Sequence, residues 1–308
     1  MKSYNQSITS LYEGHYYLGV GALINSLVAA GYQGRVDIGY RGQLPAWTNQ
    51  LKRGADGHFL LNEDIGVFFH EIAPGRHLTF EKPYFVQQLF LSNPELEDIF
   101  YFDPDIVVNA PWRFYSDWVK KGICLCLDNC YAIVPSSHPW RHDWLQLGQK
   151  EMNEKIPDYF VNAGFFGVTR KDKAVLDRWT ELTDHFQQQG GDITQFTRGA
   201  YKAYKSDQDI LNAVLTCYPE LRYSIIGTEG MGFSQPAYLM SHAVGGAQKP
   251  WVKNCLSELL RDGKKLSYNE RRFFDNCRQP LQLFTSGQYK MKMLNVKLTN
   301  ILGRLIGQ

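Results

Sequence analysis

At 308 residues, with 44% apolar and 21% charged side chains, the chain has the composition of a folded globular protein and the length to bury a full core. A formal net charge of +2 is too small to mark a polyanion footprint, so no nucleic-acid partner is expected. No stretch reaches the ~18 uninterrupted apolar residues of a membrane span, and MKSYNQSITSLYEG lacks a continuous apolar segment, so the expected compartment is the cytoplasm.

Residues 5–12 (NQSITSLY) read as a strand, 16–30 as an amphipathic helix ending at Gly31, and 35–40 as a second strand, a β-α-β start. A loop rich in Gly, Pro and Trp (YRGQLPAWTNQ) and an apolar piece at 67–69 follow. Pro83 predicts the start of a helix over about 83–91, which leads into IFYFDPDIVV at 99–108. ICLCL and YAIV are further predicted strands. AGFFGVTR reads as a strand running into a helix over 171–188, which Gly190 and Gly191 terminate. DQDILNAVL starts another helix with acids in its first turn, and LRYSII is a strand. Strands alternating with helices imply an α/β domain with a mainly parallel sheet flanked by helices and a cleft at the strands' carboxyl ends. That domain is expected over 1–252. Residues 253–308 read as a helical, basic C-terminal extension. The six cysteines include C-x-C-x3-C in CLCLDNC, which fits a buried strand better than a zinc ribbon.

In IFYFDPDIVV, Asp103 and Asp105 project to one side of an extended chain while Pro104 points to the other. Two carboxylates in one spot repel unless a cation lies between them, so a divalent metal is the economical reading, against a pair of solvated turn aspartates. Pro104 withholds an N–H, which suits a strand that ends there.

Other segments follow in order: YFVNAGFFGV, SDQDILNAVL and SHAVGGAQKPW. Together, D-x-D, N-A-G, D-Q-D-I-L-N and H-x2-G-x3-KPW resemble the retaining glycosyltransferases of family 8, over roughly residues 7–251. The resemblance implies a GT-A, Rossmann-like fold and a hexosyltransferase that draws on a nucleotide-diphosphate sugar. It implies His242 as a third metal ligand beside Asp103 and Asp105. Carboxylates suit Mg2+ or Mn2+, and the imidazole tilts the choice to Mn2+. It further implies that Lys249 contacts the diphosphate, with Gly245 and Gly246 permitting close backbone approach. The spacing departs from the family by one inserted residue, since Gly245 fits the histidine spacing and Gly246 the lysine spacing.

By the same resemblance Asp207 orients the donor sugar and Gln208 lies near the anomeric carbon. An amide is a poor nucleophile, so same-face substitution through an ion-pair-like transition state is expected, with Asp209 as the reserve nucleophile. N-capping accounts equally for any one of these acids. Asn162 is placed against the donor sugar, and Lys82 is a candidate contact to donor phosphate or sugar. LYEGHYY departs from the family's aspartate and asparagine after the first strand. Tyr12 is a candidate to stack on the base and Glu13 to accept a hydroxyl, with a UDP-sugar preferred.

The tail, QYKMKMLNVKLTNILGRLIGQ, carries four basic and no acidic residues, with Leu294, Leu298, Ile301, Leu302 and Leu305 at helical spacing. That pattern fits an interfacial helix over 289–308 drawn to anionic lipid at the inner face of the cell membrane, and equally a helix packed on the domain. A glycan or lipid-linked acceptor of surface polysaccharide or lipopolysaccharide synthesis follows from the resemblance. The rival readings are a non-catalytic nucleotide-sugar- or glycan-binding protein on the same fold, and a nucleotidyltransferase, for which YEGHYY makes a poor phosphate loop.

Overall fold

The computed structural model describes residues 4–54, 56–152, 155–196, 206–244 and 248–306. In chain order the elements are β1 (Gln6–Glu13), α1 (Tyr17–Ala29), β2 (Gly34–Arg41), the short β3 (Lys52–Arg53) and β4 (Phe59–Leu60), β5 (Ile65–Glu71), α2 (Leu78–Ser92), β6 (Asp98–Phe102) and β7 (Ile106–Val108). Then come α3 (Trp112–Trp118), β8 (Ile123–Leu127), α4 (Pro139–Leu147), β9 (Val161–Thr169), α5 (Ala174–Gln188), α6 (Asp207–Cys217), β10 (Tyr223–Ile226), β11 (Met240–His242), α7 (Cys255–Asp262), α8 (Tyr268–Asp275) and α9 (Ser286–Ile306).

Among the described residues the main sheet runs β10-β8-β9-β6-β1-β2-β5-β4-β3. Strands β6, β1, β2 and β5 are mutually parallel, β8 and β10 are parallel to each other, and β9 runs antiparallel between β8 and β6. This is the expected mixed, mainly parallel α/β sheet of a Rossmann-like fold. The chain leaves β1 toward β2 on one side and returns through α2 to β6 on the other, so the strand order reverses between β1 and β6. A cleft opens at such a switch point, at the carboxyl ends of the strands. Because β9 is antiparallel, its first residues stand at that same end.

Burial on both faces explains the near-continuous apolar runs of the central strands. Along β6 the side chains alternate between two cores. Phe100 and Phe102 pack with α1, α3 and the C-terminal helices, whereas Ile99 and Tyr101 pack with α2, α4, α5 and α6.

Several boundaries differ from expectation. Helix α2 begins at Leu78, so Pro83 lies inside it; His77 caps the first turn by accepting from the Thr79 N–H. Lys82 therefore sits within the helix rather than ahead of it. YAIV forms only one isolated bridge, Ile133 to Tyr159. The Asp128 carboxylate accepts from the Cys130 and Tyr131 N–H groups at 2.8 and 3.3 Å, folding the chain into a turn before Pro135. Five of the cysteines are buried, Cys124 and Cys126 within β8, while Cys130 is exposed.

After Pro104 the chain resumes as β7, in a separate antiparallel ribbon with β11. Residues 253–306 carry α7, α8 and α9 and share the α1-side core through Phe273, Phe274, Leu281 and Val296. Buried Asn25 ties them down, donating to Asn276 O and Leu281 O at 2.8 and 2.9 Å and accepting from Leu281 N at 2.8 Å. Helix α9 packs through Val296 and Thr299. It leaves Met291, Leu294, Leu298, Ile301 and Leu305 exposed, at 75% and 73% for the first and last. The tail thus packs by one face and presents its expected leucine row on the opposite one, Leu302 alone being half-buried.

Candidate metal centre

At the end of β6 the Asp103 N–H donates to Gly164 O at 2.7 Å, and Ile106 N–H to Asp103 O at 3.0 Å, closing a tight turn over Pro104. Helix α1 presses on that turn at Gly19, where a Cβ would collide with Pro104 O and the Trp251 ring. The ribbon pairs His242 with Ile106, which carries the imidazole to Asp105. Ligand atoms of Asp103, Asp105 and His242 all lie within 4.8 Å of one another, as a shared cation requires.

The two aspartates tolerate each other because each has its own cation. Asp103 Oδ1 accepts from Tyr101 OH at 2.9 Å and pairs with Lys82 Nζ at 3.0 Å. Asp105 Oδ1 lies 3.1 Å from His242 Nε2, and its Oδ2 accepts from Lys249 Nζ at 2.6 Å. Burial works to raise the Asp105 pKa, but His242 and Lys249 outweigh it and hold the carboxyl well below the usual range. Burial likewise works to lower Lys249, and Asp105 raises it above its ordinary value.

The donor set fits a divalent cation. Two carboxylates and an imidazole suit Mn2+. His242 Nδ1 is buried and has no hydrogen-bond partner among the described residues. Gly164 keeps the space between the ligands open: a Cβ there would stand 2.6 Å from His242 Cε1 and 3.0 Å from Asp103 Oδ2.

The remaining predicted residues surround this cluster unevenly. Lys82, 3% exposed, reaches Asp103, Asp207 Oδ2 at 2.8 Å and Ala163 O at 3.0 Å. Burial acts to lower its pKa, but Asp103 and Asp207 overcome it and keep the ammonium charged. Asp207 opens α6, and burial raises its carboxyl against the pull of Lys82. Gln208 Oε1 accepts from Ala163 N–H at 3.2 Å, pinning the first turn of α6 to β9. Asp209 forms a capping box with Ser206, accepting from its N–H and hydroxyl at 3.1 Å.

Asn162 is spent largely on the chain itself. Its Nδ2 donates to Asp128 Oδ2 and its Oδ1 accepts from Gly164 N–H, each at 2.8 Å. Tyr12 is buried, its ring stacked against Tyr40 at 6.0 Å and its hydroxyl donating to Gln43 O at 3.0 Å, so neither face stands open to a base as the stacking role requires. Glu13 is exposed at the end of β1. Gly245 and Gly246 lie outside the described residues.

Sequence reasoning missed Tyr101 and Asp128. Tyr101 stands two residues before Asp103 on one face of β6, and Asp128 follows the carboxyl end of β8 at the cleft edge. Strand alternation and the rule that clefts form at strand carboxyl ends were the available signals.

No protein-family model and no curated protein matches the chain. Among solved structures it is similar to the apo structure of WbbM, a bifunctional glycosyltransferase, with a TM-score of 0.55 and 16% identity over 95% of this chain and 52% of that one. The chain thus spans about half the length of that protein. At this identity the likeness is one of fold alone.

Proposed function

We propose that the protein is a metal-dependent hexosyltransferase that takes its sugar from a nucleotide diphosphate, UDP by preference, and delivers it with retention to a hydroxyl on a surface glycan or glycolipid. The observation that carries this reading is the convergence of Asp103, Asp105 and His242 at the strand switch point, with Lys249 beside them.

Asp103, Asp105 and His242 would hold a divalent cation, which would supply neutralising charge for a departing diphosphate. Lys249 adds a second positive charge on a flexible stem, able to exchange the Asp105 carboxylate for a phosphate oxygen. Asp207 and Gln208 lie on the first turn of α6, joined to Lys82 and to Ala163 N–H respectively. There Asp207 orients sugar hydroxyls, and the Gln208 amide stabilises positive charge building at the anomeric carbon. The capping box accounts for Asp209, which leaves an amide at the reacting face and favours same-face substitution over a covalent glycosyl-enzyme. Asn162, engaged with Asp128 and Gly164, shapes the sugar pocket by holding these groups in place.

Helix α9 supports a peripheral membrane position. Its exposed row of Met291, Leu294, Leu298, Ile301 and Leu305 is bordered on one side by Lys290, Lys297 and Arg304. An apolar row with basic flanks suits the surface of an anionic bilayer. No helix among the described residues is long and apolar enough to cross one.

The test is donor hydrolysis with UDP-glucose, UDP-galactose and GDP-mannose, each with Mn2+ and with chelator. Metal-dependent release of sugar from one of them, with NMR showing the donor's anomeric configuration in a transfer product, bears out the reading. No release from any donor would favour a silent nucleotide-sugar-binding protein.

A further inference from the structure

We propose that Lys82 is a positioning residue that sets the metal ligand and the sugar-orienting acid together, and that it contacts no part of the donor. This rests on the transferase reading for the roles of Asp103 and Asp207. An ammonium has three N–H groups. Three oxygens already lie within reach of Nζ: Ala163 O and Asp103 Oδ1 at 3.0 Å and Asp207 Oδ2 at 2.8 Å. Nζ donates to Ala163 O and forms ion pairs with the two carboxylates, and with 3% of the residue exposed these oxygens enclose the ammonium and leave a phosphate little access to it.

Those oxygens come from three elements. Ala163 belongs to β9, Asp103 follows β6 and Asp207 begins α6, while Lys82 itself is carried by α2. One side chain therefore fixes the parts of the cleft against each other. The division of the Asp103 carboxylate is the telling detail. Lys82 and Tyr101 OH both engage Oδ1, and Oδ2 is the oxygen that would meet a Cβ at Gly164, on the His242 side. Holding Oδ1 thus aims Oδ2 at the cation position. The same ammonium pairs with Asp207 Oδ2 and so fixes that carboxyl at the first turn of α6. Residues that orient metal ligands in this way typically change metal affinity or activity by about 10- to 100-fold when lost.

The experiment is calorimetric titration of Mn2+ into the full chain and into Lys82→Met, followed by titration of UDP into each Mn2+-saturated protein. The expected result is Mn2+ binding weakened about 10- to 100-fold in the variant, with UDP affinity within about threefold of wild type. Lys82→Met leaves Asp103 and Asp207 facing each other without a cation, so Lys82→Met/Asp207→Asn is compared with Asp207→Asn alone if the single variant does not fold; the same weakening of Mn2+ binding is expected. Unchanged or tighter Mn2+ binding overturns the proposal. So does a loss of UDP affinity of about tenfold or more at saturating Mn2+, which would mean direct contact with the diphosphate. A wild-type chain that binds no Mn2+ overturns this proposal and the metal reading together. One that binds Mn2+ and UDP yet releases no sugar sinks the transferase reading alone, and the Mn2+ comparison still decides Lys82.

Discussion

Replacing Lys249 by alanine removes the cation from Asp105 Oδ2 at 2.6 Å. At an effective dielectric of 20, a unit charge pair at that distance attracts by about 6 kcal/mol. Desolvation of both partners consumes much of this. The Asp105 side chain is 7% exposed and that of Lys249 17%. Breaking a buried pair costs about 3–5 kcal/mol, and the residual exposure of Lys249 lowers the expected loss to about 2–3 kcal/mol. For a domain of this size each kcal/mol moves the thermal midpoint by roughly 2–4 °C, so Lys249→Ala should melt about 4–12 °C below wild type in chelator. Mn2+ returns a positive charge to the same carboxylate, so the metal should raise the variant's midpoint more than that of wild type. The assay is differential scanning fluorimetry at neutral pH, with EDTA and across an Mn2+ series. Midpoints within 1 °C of each other in EDTA would refute the claim that this ion pair stabilises the cleft. An equal Mn2+ response in both proteins would refute the claim that lysine and metal share Asp105.

Asp103→Asn and Asp105→Asn should each abolish Mn2+-dependent UDP binding and donor hydrolysis; near-wild-type turnover in either removes the metal assignment. At the far side of the sheet, fully buried Asp37 joins Arg35 at 2.7 Å, His70 at 2.7 Å and Ser7 at 2.6 Å. Burial works to raise its pKa, but His70 and Arg35 outweigh it and depress the carboxyl. A depressed folded-state pKa gives stability that is full above the unfolded value of about 4 and is lost as pH falls through the folded value. Asp37→Asn should therefore cost about 3 kcal/mol at pH 7 and progressively less below about pH 4; an equal loss at pH 3 and pH 7 in urea titrations would count against this. Changing Leu294, Leu298, Ile301 and Leu305 together to serine should abolish sedimentation with anionic liposomes while leaving the midpoint within a few degrees. Unchanged sedimentation would remove the membrane proposal. Deleting the helix is the poorer test, because Val296 and Thr299 belong to the core.

The alternation of the main-sheet strands with α1, α5 and α6 was legible in the sequence because each depends on local pattern, whereas α3, α4 and the β7–β11 ribbon were not. Continuous apolar runs mark strands buried on both faces, and the acids Asp207 and Asp209 in a first turn mark a helix start whatever packs against it. Residue types alone singled out Asp103 and Asp105, since two acids one residue apart in a strand share a face. Where local signals competed, the tertiary structure decided. Pro83 read as a helix start, yet the His77 cap begins α2 a turn earlier and thereby buries Lys82 beside both acids. Tyr12 read as a base-stacking ring and is instead buried against Tyr40.

How the candidate metal site is brought together lay beyond any local pattern. His242 reaches Asp105 only because β7 and β11 pair as a ribbon, and Lys249 meets an aspartate 144 residues away in the chain. The helical spacing of the tail likewise named an apolar row without saying which side of the helix the core would take. Periodicity specifies which residues share a face; only the Lys292 bond to Trp251 O and packing on the α1-side core chose the Val296 face of α9 for burial and left the leucines outside.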